Sequence, residues 1–224
     1  MNILPGQSRL TATVFRAGLL AGVLGLSGCL SRPALKIETF TFNAPAGGIT
    51  NTLASGRSLG IRRLQIAAPY AGRSLVYRTG DFSYVRDPYA EFLEAPAEEL
   101  MEPVREWLLQ DGAFRHVLAG GSALKPDTLV EINLSQLYGD FRQRSHPLAI
   151  LVMQFTFFDA PNGAPGKLLL QREYSRGILL DPPNAASLMK GWNQAVAEII
   201  GEVSADFERL TTPDCQPSVS PSLP

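Results

Sequence analysis

The side chains that could support chemistry in this chain of 224 residues are few and poorly grouped. His116 and His146 have no second ligand at helical or hairpin spacing, which favours loop histidines over a metal site. Glu98, Glu99 and Glu102 could imitate a catalytic pair, but carboxylates in the first turn of a helix usually interact with its dipole and face water. We therefore expect neither a bound metal nor a pair of catalytic carboxylates.

Phosphate chemistry and nucleic-acid binding are also disfavoured. The chain lacks the Gly-x-x-x-x-Gly-Lys-Ser/Thr loop, so it is not expected to hydrolyse a nucleoside triphosphate. Its formal net charge of −1 and its pI near 6.1 leave no basic excess to neutralise phosphates. These features predict a protein that is not an enzyme, needs no cofactor and does not bind nucleic acid.

The first thirty residues indicate export. Arg9 and Arg16 precede an apolar run, residues 17–26, that would rise only about 15 Å as a helix, which is too short to span a bilayer. Such a run after positive charges is typical of a secretory signal peptide. It ends in Leu26-Ser27-Gly28-Cys29, which resembles the lipobox of bacterial lipoproteins. This resemblance implies cleavage between Gly28 and Cys29 and a lipid on Cys29.

Lipidation would hold the rest of the chain at a membrane, because each buried methylene of an acyl chain adds about 0.8 kcal/mol to binding. In many bacteria the residue after the cysteine directs sorting, and here it is Leu30 instead of an inner-membrane-retaining Asp. We therefore expect attachment to the periplasmic side of the outer membrane in preference to the inner membrane.

Composition divides the chain into four parts. Residues 1–28 are predicted to be the signal peptide, 29–34 a lipidated tether, 35–210 a single α+β domain, and 211–224 a disordered tail rich in Pro and Ser. Cys215, in the tail, would be the one thiol that lipidation leaves unmodified. We expect it to be free and dispensable, with an intermolecular disulfide as the alternative.

Alternating apolar residues predict strands at residues 35–42, 59–68, 75–78, 82–85, 129–141, 149–158 and 168–180. In the second run Ala68 is expected to face inward. The third and fourth runs form a hairpin around Thr79-Gly80-Asp81. A phase slip in the fifth run predicts a bulge near Gln136. The sixth run is apolar on both faces, as in a central strand that is covered on both sides.

Two amphipathic stripes predict helices. The first helix begins after Pro96 and ends at Gly112, and Pro103 either starts its main part or kinks a longer helix. The second is capped by Asn184 and carries Trp192 in its stripe, while its acidic residues, Asp206 among them, are expected to face solvent. The order of elements predicts an α+β fold: a mostly antiparallel sheet with two main helices packed on one face, preceded by the lipoprotein signal peptide.

Several short structural patterns are spread along the predicted domain, from about Glu38 to Leu210, and each occurs once. They are Ile66-Ala-Ala-Pro69-Tyr70, Leu75-Val-Tyr-Arg78, Tyr84 ahead of the first helix, Asp159 and Gly163 in a strand–loop–strand, and Gly191-Trp-Asn-Gln-Ala195. With these patterns the chain resembles the PqiC-like family of ABC-type transport auxiliary lipoproteins, which are associated with MCE lipid-transport machines. Phe92 stands where related chains often have a tryptophan. The family is known for a role and not for a reaction, so the resemblance supplies no catalytic residue.

One stretch concentrates tyrosine and arginine, the residues that protein interfaces favour. The candidate interface residues are Tyr70, Tyr77, Arg78, Tyr84, Arg86 and Tyr89. A sheet edge with half-buried tyrosines is the alternative.

The resemblance implies a membrane-anchored periplasmic lipoprotein that serves, without catalysis, as an accessory subunit of an MCE/ABC-type phospholipid transport system and supports envelope integrity. Its partners would be the MCE-domain protein and the ABC permease and ATPase of that system, together with the membrane. Self-association into a ring is compatible with a docking role. The alternative is an outer-membrane lipoprotein that acts as a scaffold or activator of a cell-wall or outer-membrane assembly complex.

Overall fold

The computed structural model describes residues 36–43, 56–118 and 122–211. The elements described below all belong to the compact unit that begins at Ile37. The predicted signal peptide, the lipobox with Gly28 and Cys29, and the tail with Cys215 lie outside the described residues.

Eight strands and two α-helices make up most of the described part of the chain. In chain order the strands are β1 Glu38–Phe40, β2 Ser58–Ile66, β3 Ser74–Arg78, β4 Tyr84–Phe92, β5 His116–Leu118, β6 Thr128–Asp140, β7 Leu148–Asp159 and β8 Leu168–Leu179. Helix α1, Pro96–Gln110, follows β4, and helix α2, Ala185–Thr211, follows β8. Short 3-10 turns lie at Ala68–Tyr70 and Pro161–Gly163. The predicted order of strands, helix, strands and helix is confirmed.

The strands form an open, mostly antiparallel sheet, as predicted. β7 lies between β6 and β8 in two long antiparallel ladders. The other edge of β6 is shared, since β2 pairs in parallel with its first half and β3 pairs in parallel with Gly139 and Asp140 at its end. β5 then adds to β2, while β4 and β1 extend the sheet beyond β3. The sheet therefore divides into two branches at this edge of β6, one through β2 and one through β3. Both branches begin with short parallel ladders, which were not predicted from the sequence.

The phase slip in β6 is a β-bulge, as predicted. The β6–β7 register shifts between Leu134 and Gln136. Because the extra residue restores the alternation, Leu134 and Leu137 both reach the core face, where they are 0% and 1% exposed.

One face of β7 carries the hydrophobic core. Its fully buried residues are Ala149, Leu151, Met153, Phe155 and Phe157. On the other face Val152 is buried, but Ile150 and Phe158 are only partly buried. The prediction that both faces of this strand are fully covered is therefore correct for one face alone.

The two helices cover the core face. α1 packs on β2 and β5, α2 packs on β7 and β8, and the helices contact each other. The predicted stripe of α2 is confirmed, and its five residues are fully buried: Leu188, Trp192, Ala195, Ile199 and Val203. Asn184 caps α2, since its Oδ1 accepts the N–H of Ser187 at 2.8 Å. α1 ends just before Gly112, whose φ of +82° suits glycine.

The prediction that Asp206 faces solvent is wrong. Asp206 is 5% exposed and accepts hydrogen bonds from Arg172 Nη1 at 2.6 Å and from the Tyr174 hydroxyl at 2.9 Å. Arg209 Nη2 lies 2.7 Å from its other carboxylate oxygen. Because α2 packs along β8, this side of the helix meets the arginine and tyrosine of the strand instead of water.

The prediction that Ala68 continues a strand and faces inward is also wrong. β2 ends at Ile66, and Ala68 is exposed at the start of a 3-10 turn. Pro69 has no N–H to donate to a ladder, so the chain turns away from β6 at this point. This turn brings Tyr70 back over the sheet.

A candidate docking surface on the β3–β4 hairpin

β3 and β4 form the predicted hairpin, but its loop is Thr79–Ser83 instead of the predicted Thr79–Asp81, because β4 begins at Tyr84 and not at Phe82. We call this loop the hairpin tip. The tip is closed by a hydrogen bond from the Thr79 N–H to the Ser83 carbonyl at 2.9 Å. The ladder pairs Arg78 with Tyr84 and Tyr77 with Val85. Since successive side chains of a strand point to opposite faces, Arg78 and Tyr84 share one face and Tyr77 lies on the other.

The first face is built on a pair of buried tyrosines. Tyr70 stacks on Tyr138 with ring centroids 5.9 Å apart, and Tyr84 meets Tyr138 edge-on at 5.6 Å. The guanidinium carbon of Arg78 lies 5.7 Å from the centroid of the Tyr84 ring, within the range of a cation–π interaction. Tyr70 and Tyr138 are buried, whereas Tyr84 is 47% exposed. Two buried rings thus support one that is available to a partner.

Arg86 completes this face beside a shallow pocket. Its Nη2 donates to the Pro69 carbonyl at 3.3 Å, which ties β4 to the 3-10 turn. A pocket of about 310 Å³ is lined by Pro69, Tyr70, Val76, Tyr84, Val85 and Arg86. Burial, with a smaller contribution from Tyr84, raises the pKa of Tyr70 to about 12, so its phenol is protonated at neutral pH. We call this surface the tyrosine–arginine face.

The opposite face of the hairpin contains Tyr77. Its hydroxyl donates to Asp87 Oδ2 at 2.7 Å, and its ring meets Phe141 edge-on at 5.2 Å. Burial, followed by the hydrogen bond to Asp87, raises the pKa of Tyr77 above its ordinary value. A groove of about 680 Å³ between this face and the start of α2 is lined by Tyr77, Thr79, Val85, Asp87, Phe141, Arg144, Pro183, Asn184 and Ala185. We call it the Tyr77 groove.

The six predicted interface residues therefore do not form one surface. Four of them, Tyr70, Arg78, Tyr84 and Arg86, lie on the tyrosine–arginine face. Tyr77 lies on the other side of the hairpin, and Tyr89 is 55% exposed near the irregular part of β4. This difference could have been inferred from the sequence, because Tyr77 and Arg78 are neighbours in one strand and their side chains must point to opposite faces of the sheet.

Sequence reasoning missed Tyr138, the ring at the centre of the tyrosine–arginine face. The predicted bulge places it on the face opposite Leu137, so its orientation could have been inferred. Its neighbours could not, because Tyr70 and Tyr84 reach it through the turn after β2 and through the pairing of β3 with β6. The contact exists only once the sheet is assembled.

The sequence was interpreted as lacking the Gly-x-Ser-x-Gly spacing of an esterase nucleophile elbow, and this was wrong, because Gly56-Arg57-Ser58-Leu59-Gly60 has that spacing. In the structure Ser58 begins β2 and does not lie on a turn between a strand and a helix. Its hydroxyl donates to Asp127 Oδ2 at 2.7 Å, and the Asp127 N–H donates back to Ser58 Oγ.

The Ser58–Asp127 pair joins two loops at the start of β2 and β6. The Ser58 N–H also donates to Asp127 Oδ2 at 2.9 Å, and the hydrogen bonds from Ser58 lower the pKa of this carboxyl. A carboxylate with a lowered pKa is a weak base, so the pair is suited to closing the loop and not to activating a nucleophile.

Two further features concern metals and membranes. In residues 36–43, 56–118 and 122–211, no three histidine, cysteine or acidic side chains are grouped so that they could hold a metal ion. Neither α1 nor α2 contains a stretch long and apolar enough to cross a bilayer.

Comparison with known proteins gives matches at the level of structure alone. No family model matches the sequence, and no curated protein matches it. A crystal structure of a Xanthomonas campestris protein from the DUF330 family is similar to this chain, with 12% identity and a TM-score of 0.59, over 79% of this chain and 94% of that one. An uncharacterized protein of known structure is similar with 14% identity and a TM-score of 0.58, over 75% of this chain and 99% of that one.

A more distant match is a lipoprotein of Neisseria meningitidis, with 11% identity and a TM-score of 0.35, over 67% of this chain and 99% of that one. At that score the likeness carries no inference. The two higher scores, at such low identity, show that the α+β fold recurs in the DUF330 protein and in the uncharacterized one.

Proposed function

We propose that this protein is a lipid-anchored envelope lipoprotein that works by binding and not by catalysis, as an accessory subunit of an MCE/ABC-type phospholipid transport system. The observation that best supports this proposal is the tyrosine–arginine face, where Tyr84 and Arg86 are exposed beside the buried rings of Tyr70 and Tyr138. Rigid aromatic and arginine side chains around a supported pocket are the usual anchors of protein interfaces.

The proposed anchor and partners rest on the sequence. The lipobox ending at Cys29 supports attachment to an envelope membrane, and Leu30 favours the periplasmic side of the outer membrane. The resemblance to the PqiC-like family supplies the MCE-domain protein, the permease and the ATPase as partners. The similarity to the DUF330 protein is compatible with this proposal at the level of the fold.

The experiment is a crosslinked pull-down of the full-length protein from its native envelope, followed by mass spectrometry. We expect the MCE-domain protein to be recovered together with the permease and the ATPase. A Tyr84→Ala/Arg86→Ala variant should lose them, because both side chains lie at the surface of the tyrosine–arginine face.

The matched control is Leu124→Ala. Leu124 is 65% exposed and lies before the start of β6, whereas the hairpin lies beside the end of β6. Its replacement should leave the recovered proteins unchanged. Recovery of cell-wall or outer-membrane assembly proteins in place of the transporter would contradict the proposal and favour the scaffold alternative.

A further inference from the structure

β8 forms one edge of the sheet, and its outer side has no partner strand in residues 36–43, 56–118 and 122–211. Among the described strands it pairs with β7 alone. The strand is 12 residues long and contains no proline. An unpaired edge of this length presents a row of backbone N–H and C=O groups, which is a template for pairing with another strand.

The other edges of the described sheet are protected against such pairing. β1 and β5 have only three residues each. On the part of β4 that β1 does not reach, Pro88 has no N–H to donate, and Asp87 Oδ1 accepts the N–H groups of Tyr89 at 2.8 Å and Ala90 at 3.1 Å. Short edges, prolines and local bends are the usual means of preventing pairing between edges. Of the described edge strands, β8 is thus the long one that lacks them.

One hydrogen bond shows which backbone groups of β8 face outward. The Leu180 N–H donates to the Pro147 carbonyl at 2.9 Å, directly after the pair of Leu179 with Leu148. Because backbone groups alternate in direction along an antiparallel ladder, the odd-numbered residues of β8 point theirs away from β7. These residues are all exposed: Gln171, Glu173, Ser175, Gly177 and Leu179.

The Ser175 carbonyl is the outward group that already has a partner on the page. It accepts a hydrogen bond from Arg176 Nη1 at 2.8 Å. A carbonyl oxygen has two lone pairs, so it can accept a second N–H from a neighbouring strand.

The charges of β8 are balanced on the face toward α2 and unbalanced on the other. On the α2 face the ion pairs are Arg172 and Arg209 with Asp206, and Arg176 with Glu198 and Glu202. Glu173 points to the opposite face and makes no ion pair within the described residues. A strand that pairs with this edge must therefore avoid a second carboxylate opposite Glu173.

A second copy of β8 meets this requirement in one antiparallel register. A two-fold axis perpendicular to the sheet keeps the helices of both copies on the same side, so residues that oppose each other share a face. With Ser175 on the axis, residues 171–179 of the two copies are paired and no like charges are directly opposed. The opposed residues are then Glu173 and Gly177, Arg172 and Ile178, Tyr174 and Arg176, and Gln171 and Leu179.

Neighbouring registers are less favourable, because like charges directly opposite each other destabilise a ladder. An axis at Glu173 places two glutamates opposite each other, and an axis at Tyr174 places Arg172 opposite Arg176. An axis at Arg176 opposes two arginines. Registers centred nearer to either end of β8 pair fewer residues. The edge is therefore complementary to itself in the register centred on Ser175.

We propose that two copies of this protein pair through β8, antiparallel and centred on Ser175, so that the sheet continues from one copy into the other. β8 and the β3–β4 hairpin lie on opposite edges of the sheet. The two tyrosine–arginine faces of such a dimer are therefore far from the shared edge and lie on the same side of the joined sheet. This inference goes beyond the proposed function and does not depend on the identity of the transporter.

The first test is disulfide crosslinking of the full-length lipoprotein in its native envelope, with Cys215→Ser as the background. Ser175→Cys places two thiols opposite each other across the axis. The Cα atoms of such a pair are about 5.5 Å apart, which a disulfide can span. We expect mild oxidation to produce a covalent dimer with twice the mass of the chain on a non-reducing gel.

The matched controls are Glu173→Cys and Gly177→Cys, which lie on the same exposed edge but oppose each other instead of their own copies. Neither should crosslink alone, whereas the two chains expressed together should form a mixed dimer. Equal yields from all three single-cysteine variants would overturn the inference, and so would the absence of a dimer from Ser175→Cys. A crosslinked product that contains a different protein would also overturn it and assign the edge to a strand of that partner.

The second test changes the charge opposite Glu173 and needs no disulfide. Gly177→Lys places a cation opposite Glu173 twice in each dimer, and Gly177→Glu places an anion there. A Cβ at Gly177 meets the flexible end of Ile150 at 3.3 Å in both variants, so any effect on the fold is shared. Analytical ultracentrifugation in detergent should give a dissociation constant about tenfold lower for the Lys variant than for the Glu variant.

Equal dissociation constants for the two variants would overturn the register, and a wild-type protein that stays monomeric at all concentrations would overturn the dimer. Neither result bears on the proposed function, because the pull-down of the transporter is measured independently. Loss of the transporter from the pull-down with a dimer still present would contradict the proposed function alone.

Discussion

The body of the domain, formed by β6, β7, β8 and α2, and the β3–β4 hairpin use aromatic residues in opposite ways. In the body Phe155 and Phe157 are fully buried, and the Phe157 ring lies 5.0 Å from that of Phe207. In the hairpin Phe82 and Tyr84 are 99% and 47% exposed. The same type of side chain is therefore part of the core in one region and exposed at the surface in the other, according to how much strand pairing surrounds it.

The length of the ladders explains the difference. β7 is paired along its whole length on both edges, and α2 covers its core face. β4 is paired along one edge by β3, while on its other edge β1 reaches only Ala90–Phe92 among the described residues. A region with few buried contacts can present side chains to a partner, but contributes less to the free energy of unfolding.

The largest expected effect comes from replacing one phenylalanine in each region by alanine. Phe157→Ala leaves a cavity among Phe114, Phe155 and Phe207 and should lower the free energy of unfolding by about 3–5 kcal/mol. Phe82→Ala removes no buried contact and should change it by less than about 0.5 kcal/mol. Denaturant unfolding of both variants measures the difference, and equal losses would refute the division into a stabilising body and an exposed hairpin that contributes little to stability.

A smaller effect is expected from adding one methyl group in each region. A Cβ on Gly191, in α2, would lie 2.7 Å from the Cβ of Ala149, so Gly191→Ala overpacks the contact between α2 and β7. Overpacking costs about 1–3 kcal/mol, against roughly 1 kcal/mol gained from helix propensity, so we expect a net loss of up to about 2 kcal/mol.

The counterpart is Gly72→Ala, in the segment that leads into β3. A Cβ there meets nothing within 4 Å, and we expect a change between zero and a gain of about 1 kcal/mol. Thermal unfolding compares the two variants. Restoration of the wild-type midpoint by Ala149→Gly in the Gly191→Ala protein would assign the loss to this contact, and no recovery would argue against it.

The smallest effect concerns the pH dependence of the tyrosine–arginine face. The fold favours the neutral phenol of Tyr70, since its pKa rises from 10.0 to about 12. The stability that this preference contributes is complete below pH 10 and is lost as the pH rises through about 12. Tyr70→Phe should therefore make the alkaline loss of stability shallower in this window.

Unfolding midpoints measured across pH 10 to 12 check this expectation. Burial and Asp206 also raise the pKa of Tyr174 in the body, so Tyr174→Phe is the matched control for a tyrosine outside the hairpin. Suppose that Tyr70→Phe leaves the fall of the unfolding midpoint between pH 10 and 12 unchanged while Tyr174→Phe alters it. The neutral phenol of buried Tyr70 then does not contribute to stability as described.

Local sequence features determined much of the fold. The apolar stripe of α2, the cap at Asn184, the stop at Gly112 and the bulge before Gln136 were all predicted, and all are confirmed. Each of these depends on residues close together in the chain, where side-chain periodicity, capping geometry and the freedom of glycine act directly.

The candidate site was predicted less completely. The stretch around the hairpin was correctly identified as a place where tyrosine and arginine gather, since composition alone shows this. The division into two faces was not predicted, although the alternation of Tyr77 and Arg78 contains the signal. Nothing near Phe82 in the sequence shows that it is 99% exposed, because exposure depends on which strands come to lie beside the tip.

Only the tertiary structure decided the contacts between distant segments. Asp206 is buried because α2 lies along β8. Tyr138 contacts Tyr70 and Tyr84 because β2 and β3 share one edge of β6. β1 pairs with β4 in parallel, although the two strands are far apart in the sequence. Such contacts depend on the register of several ladders at once, and a local pattern cannot specify them. The sequence thus determined the elements and their caps, while the assembled sheet decided which side chains meet and which remain exposed.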